Sequence, residues 1–144
     1  MHDSAGRLTP ISADRLAKAL LHSKERNLRM VILDTCDSIQ QARRLAGKID
    51  CAIGVAGGIA ERTAISFFAM FFNALASGRS VHHSHAVAYE LELSKMDGDS
   101  NYRRSVESQL EEPFRAELHL PRLVCRRGID LKTMVLLAPR TEGT

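Results

Sequence analysis

Arg29-Met30-Val31-Ile32-Leu33-Asp34-Thr35-Cys36-Asp37-Ser38 is the stretch whose reading decides the fold. The apolar run from Met30 to Leu33 passes directly into an acid, a hydroxyl, a thiol, a second acid and a second hydroxyl. A short, partly β-branched run with charge at both ends reads as a strand buried on both faces. In open parallel sheets, chemistry gathers just beyond the carboxyl ends of such strands. Cys36 therefore stands where a nucleophile would be presented, with Asp34 two residues behind it.

Downstream, Ile39, Ala42, Leu45 and Ala46 share one face of a helix over 38–48, and 51–55 is again short and apolar. Strand, helix and strand within about thirty residues form a βαβ unit, so the two strands should be parallel neighbours. Ala56-Gly57-Gly58 turns the chain into a long helix over 60–77 that is apolar nearly all round, which places it between other elements. Gly78 should cap that helix, and Ser80 should open another that runs to about residue 95. Beyond it the pattern predicts a loop at 97–101 and an amphipathic helix over 105–118 broken at Pro113. A strand over 120–126, a turn at Arg127-Gly128 and a last strand over 133–137 make a smaller terminal strand pair. Upstream, Ser12 caps a short helix to about residue 23, carrying Leu16, Ala19 and Leu20. The expectation is one α/β domain over 1–138, with helices on both faces of its sheet and a polar tail at 139–144.

At 144 residues, 44% hydrophobic and 26% charged, the chain is long enough to bury a core. A net charge of +3, scattered Lys and Arg, and no Trp give a nucleic-acid platform little support. The apolar stretch at 64–76 is broken by Ser66 and Asn73 and is too short to span a bilayer, so no membrane is expected. Without a secretion-like opening, and with an odd number of cysteines lacking framework spacing, the default compartment is the cytoplasm.

Most other reactive side chains have simpler readings. Cys51 and Cys125 lie in strand-like runs and should be small core residues. His82 and His85 share a helical face beside His83, but no second ligand cluster follows, so a solvated face is expected and no metal. His22 and His119 have no partner in the sequence and are placed on the surface. Gly54, Gly57 and Gly58 suggest backbone freedom at a tight turn, since no lysine-bearing phosphate loop accompanies them. No cofactor is implied.

The run Val31-Ile32-Leu33-Asp34-Thr35-Cys36-Asp37-Ser38 resembles the strand-and-cysteine motif of CHAT domains, which belong to the caspase and metacaspase group of cysteine peptidases. The stretches Ala52-Ile53-Gly54-Val55, Ala64-Ile65-Ser66-Phe67, Phe71-Phe72-Asn73-Ala74-Leu75 and Gly78-Arg79-Ser80-Val81 are similar to the family's glycine turn and long aromatic helix. Together these motifs cover roughly residues 8–95. The resemblance implies a caspase-like sandwich with a mostly parallel sheet, Cys36 as nucleophile, and Asp34 lining a pocket for a basic side chain. A carboxylate gains strongly from a bidentate guanidinium, so cleavage after Arg or Lys makes physical sense.

One departure matters. The caspase-type histidine lies about 50 residues before the cysteine, and Cys36 has 35 residues ahead of it. His2, in Met1-His2-Asp3-Ser4, lacks the His-Gly pair. The expectation is a truncated or degenerate CHAT-like domain lacking its N-terminal strands, which cleaves only if a histidine is supplied from elsewhere. The alternatives are a non-catalytic protein-interaction module in a signalling or defence assembly, or a small α/β binding protein. Its partner would be a protein or peptide. An open edge at the first strand would also favour self-association.

Overall fold

The computed structural model describes residues 29–136. The helix expected at 12–23, His2, His22 and the tail at 139–144 lie outside the described residues. Three strands form one sheet, β1 (Met30–Ile32), β2 (Cys51–Gly54) and β3 (Arg122–Cys125), in the order β1-β2-β3. β1 and β2 are parallel, with Met30 opposite Cys51 and Ile32 opposite Ile53, as the βαβ reading requires. β3 returns antiparallel on the other side of β2, with Cys51 opposite Cys125 and Gly54 opposite Arg122. The sheet is thus mixed, and the fold is mixed α/β.

β2 is buried at every position, whereas β1 is only half-buried and pairs with β2 alone among the described residues. The strand buried on both faces is therefore the second, not the first. Alternation along the strands sends side chains to two cores. Cys51 and Ile53, with Met30, Ile32 and Leu123, face Phe67, Phe68 and Phe71 of helix α2 (Glu61–Ala76). Ala52, with Val31, Leu33 and Val124, faces Ala42, Leu45 and Ala46 of helix α1 (Ile39–Ala46). Helices do cover both faces of the sheet.

α2 is less enclosed than its composition suggests, because Ile65 is 65% and Phe72 50% exposed. Its buried stripe is Phe67, Phe68, Phe71 and Leu75, one face of a 3.6-residue period. Gly78, at φ +84°, takes the left-handed turn that ends it. Ser80 then caps α3 (Val81–Gly98) by accepting the His83 N–H at 3.1 Å.

Three segments depart from expectation. The loop at 97–101 shrinks to Asp99, because its carboxylate accepts the Asn101 and Tyr102 N–H groups and starts α4 (Ser100–Glu107) at once. The strand expected from residue 133 does not form over the described residues. There Met134 is buried in the aromatic core, and the Met134 and Leu131 carbonyls accept the N–H groups of Val81 and His82. That segment satisfies the open donors at the start of α3 rather than extending the sheet. The helix expected over 105–118 does not form as one element, because α4 ends at Glu107, residues 108–115 around Pro113 are non-helical, and only the single turn α5 (Ala116–His119) follows. No helix among the described residues is long and apolar enough to cross a membrane.

A third cluster joins Ala60, Met96, Tyr102 and Val106, with Leu110 and Phe114 against it, and lays 100–114 over the start of α2. Within it the Tyr102 hydroxyl donates to the buried Glu92 carboxylate at 2.5 Å, and Lys95 stands 3.7 Å from the other oxygen. Burial first, and then this bond to Glu92, push the Tyr102 phenol up to about 12. An unfolded tyrosine releases its proton near pH 10, so this contribution to stability is complete below about pH 10 and lost as pH rises towards 12. Urea midpoints measured from pH 9 to 12 should fall more steeply for the parent chain than for Tyr102→Phe. Equal slopes would mean that the buried bond contributes nothing.

Candidate thiol cleft

The loop from β1 to α1 is fixed at both of its ends. The Leu33 N–H continues the ladder to the Ile53 carbonyl at 2.8 Å, and the Ser38 and Ile39 N–H groups share the Val55 carbonyl at 2.8 and 3.0 Å. The buried Ser38 hydroxyl lies 2.7 Å from the Thr35 carbonyl and 3.1 Å from that of Leu33, and it accepts the Val55 N–H at 3.0 Å. Ser38 therefore ties the strand end to the next strand instead of capping its own helix. Asp37 takes φ +56°, a left-handed conformation that aspartate tolerates better than most residues. Its N–H donates to the Gly57 carbonyl at 3.0 Å.

Held this way, Cys36 is turned outward at the carboxyl end of the parallel pair, where its thiol is exposed. The Ile59 N–H donates to its Sγ at 3.3 Å. A cleft of about 360 Å³ opens beside it, walled by Asp37, Gly57, Gly58 and Ile59 on the sheet side and by Gln109 to Glu112 and His119 opposite. The two walls are fastened at both ends. The Gly57 N–H donates to the Leu118 carbonyl at 2.7 Å, and the Glu61 N–H donates to Gln109 Oε1 at 2.8 Å.

His119 corrects the expectation of a surface histidine, because it is almost fully buried. Its Nδ1 accepts the Arg115 N–H at 2.8 Å, so the proton sits on Nε2, which faces Glu112 Oε1 at 3.3 Å. The Phe114 ring lies beside the imidazole, tilted, at 5.8 Å. Both ring nitrogens are thus engaged on the far wall, and among the described residues no imidazole hydrogen-bonds Cys36. The sequence did carry a signal here, a histidine set between Leu118 and Leu120 in an otherwise apolar run.

The other expected site residues scatter. Asp34 is exposed and does not line the cleft, whereas Asp37, Glu111 and Glu112 do. Cys51 is buried as expected, but Cys125 is exposed at the end of its strand, not in the core. His82 and His83 lie on the open face of α3. His85 does not. It is half-buried, its Nε2–H donates to the Pro121 carbonyl at 2.8 Å, and its ring lies 5.6 Å from that of Phe67. Burial is the main cause that lowers its pKa. Among the described residues no group of three His, Cys, Asp or Glu side chains could hold a metal ion.

No protein-family model matches the chain, and no curated protein matches it.

Proposed function

We propose that this chain carries the cysteine-bearing part of a CHAT-like, caspase-like cysteine peptidase domain, with Cys36 as the nucleophile-position thiol of an acidic, peptide-binding cleft. The observation that carries this reading is the exposed sulfur at the carboxyl end of the parallel pair, held against a backbone N–H at the mouth of the cleft. Three carboxylates on its walls, Asp37, Glu111 and Glu112, favour a cationic segment. The preference for Arg or Lys thus finds support in these residues, while Asp34 is exposed and off the wall. Acyl transfer by a thiol needs a base positioned to take its proton. Turnover therefore requires a histidine from outside the described residues, from the rest of the chain or from a partner. The β1 edge, unpaired among the described residues, is the place where a partner strand would add.

The second reading, a non-catalytic interaction module, is favoured by His119, whose nitrogens are both satisfied away from the thiol. One experiment separates the two. An Arg-containing peptide acyloxymethyl ketone should label Cys36 about tenfold faster than its neutral counterpart, with no labelling in Cys36→Ala. Peptide binding without faster labelling of Cys36 would leave the interaction module standing alone, and even labelling of Cys36 and Cys125 would remove the peptidase reading. His119→Asn keeps an acceptor for the Arg115 N–H and should change the labelling rate by less than about twofold. A loss of about 10²-fold or more would make His119 the base after all.

A further inference from the structure

Cys51 and Cys125 face each other across β2 and β3. The neighbouring bonds define the kind of pair. The Arg126 N–H donates to the Asp50 carbonyl at 2.8 Å, so the hydrogen bond lies outside the two cysteines rather than between them. This is the narrow, non-hydrogen-bonded site of an antiparallel ladder, where Cα atoms lie about 4.5 Å apart and side chains come closest. A disulfide needs Cα atoms about 4.4–6.8 Å apart and Cβ atoms about 3.5–4.5 Å apart. The register therefore places the two cysteines opposite each other on one face of the sheet, at a kind of site whose backbone spacing suits a bridge, and closing it requires the Cys51 side chain to turn from the Arg29 carbonyl towards β3. Asp50 holds both neighbours, taking Arg29 Nε at 2.9 Å and an Arg126 guanidinium nitrogen at 3.0 Å, which pins the strand ends in that register.

The two thiols differ in access. Cys125 is exposed, and Cys51 is buried with its S–H directed at the Arg29 carbonyl at 3.7 Å. Burial, with smaller contributions from Asp50 and from Cys125 itself, pushes the Cys51 thiol up to about 12. Arg126 and Arg127 directly follow Cys125 and Arg29 stands on the Cys51 side, so that even with Asp50 between Arg29 and Arg126 this end of the sheet is net positive and favours a small anionic reagent.

We infer that Cys51 and Cys125 form a thiol-modification site that takes an anionic low-molecular-weight disulfide and closes to a cross-strand disulfide. The Cys125 thiolate attacks one sulfur of the reagent, forms a mixed disulfide and expels one thiolate. Cys51 then gives up its proton to solvent and attacks the Cys125 sulfur, expelling the second thiolate. Two protein S–H bonds become one S–S bond, and the reagent is reduced to two thiols, so electrons balance without another reactant. The exposed thiol acts first because the buried one seldom ionises. The bridge closes a long loop at the end of the sheet away from Cys36, and it does not depend on the proposed peptidase role.

The test is to equilibrate the full chain with oxidised glutathione, then map its peptides without reduction. A linked pair of peptides containing Cys51 and Cys125 is expected, with a mass loss of about 2 Da, Cys36 still open to alkylation, and Tm raised by at least about 5 °C. Cys51→Ala should stop at a glutathione adduct on Cys125. Cys125→Ser, a change at an exposed position, should leave Cys51 reduced. A stable glutathione adduct on Cys125 of the parent chain, with Cys51 still reduced at equilibrium, would overturn the inference. A link made through Cys36 would do the same.

Discussion

Gly54→Val should lower stability by about 3 kcal/mol or more, and it should release the Cys36 loop even where the rest of the chain still folds. A Cβ at this position would lie 2.8 Å from Ala42 Cβ, 2.9 Å from the Ser38 carbonyl oxygen and 3.1 Å from Ile39 Cα. None of these atoms is the tip of a flexible side chain. All three belong to the start of α1 and to Ser38, whose hydroxyl and N–H fasten the thiol loop to Val55. Relieving the clash therefore means moving α1 away from β2 and pulling the Ser38 bonds apart. Urea denaturation gives the stability. Alkylation of Cys36 gives the state of the loop, and its rate should approach that of a cysteine in an unstructured peptide. A variant with the parent's midpoint and the parent's Cys36 rate would show that α1 does not press on β2 here. Gly54→Ala should fall between the two chains, since it adds the clash without the valine branches.

The same contact explains how much of the architecture was legible in the sequence. Met30 to Leu33, the stripe of Ile39, Ala42, Leu45 and Ala46, and the apolar run at Cys51 are local patterns, and each became the element its period announced. Gly78 and Ser80 mark the junction of α2 and α3 by chemistry that acts over a few residues. Errors fell where the deciding partner is distant. Met134 looked like a strand residue, but its carbonyl was needed by Val81, more than fifty positions earlier. Asp99 looked like part of a loop because a cap and a loop use the same residue types. His119 reached the cleft only because Gly57 and Leu118 bond across it, and no spacing rule links those positions. Cys36 was legible as an outward thiol at a strand end. The acidic wall opposite it was not, because Glu111 and Glu112 arrive from a segment laid down by the cluster around Tyr102.

Phe67→Ala should cost about 3–5 kcal/mol, a large share of the stability of a domain this size. Phe67 is fully buried at the centre of the larger core, with Phe68 and Phe71 rings 5.2 and 6.3 Å away. Its loss has a second consequence that an ordinary core truncation lacks. The same ring covers His85, and His85 holds the Pro121 carbonyl between His119 and the start of β3. In the parent chain burial lowers the His85 pKa below its ordinary value of about 6.5. The unfolded chain then takes up a proton that the folded one resists. The stability from neutral His85 is therefore complete above about pH 6.5 and lost as pH falls below it. Opening a space beside the ring lets water reach it, so in Phe67→Ala the His85 titration should move back up and the acid-side loss of stability should flatten. Urea midpoints from pH 5 to 8, read beside the imidazole proton shifts, measure both effects. A large drop in stability with an unmoved His85 would mean that Phe67 supports the core alone. If both shift together, the aromatic core and the segment that carries His119 on the cleft wall are coupled through His85, and residues of α2 far from Cys36 set how firmly that wall stands.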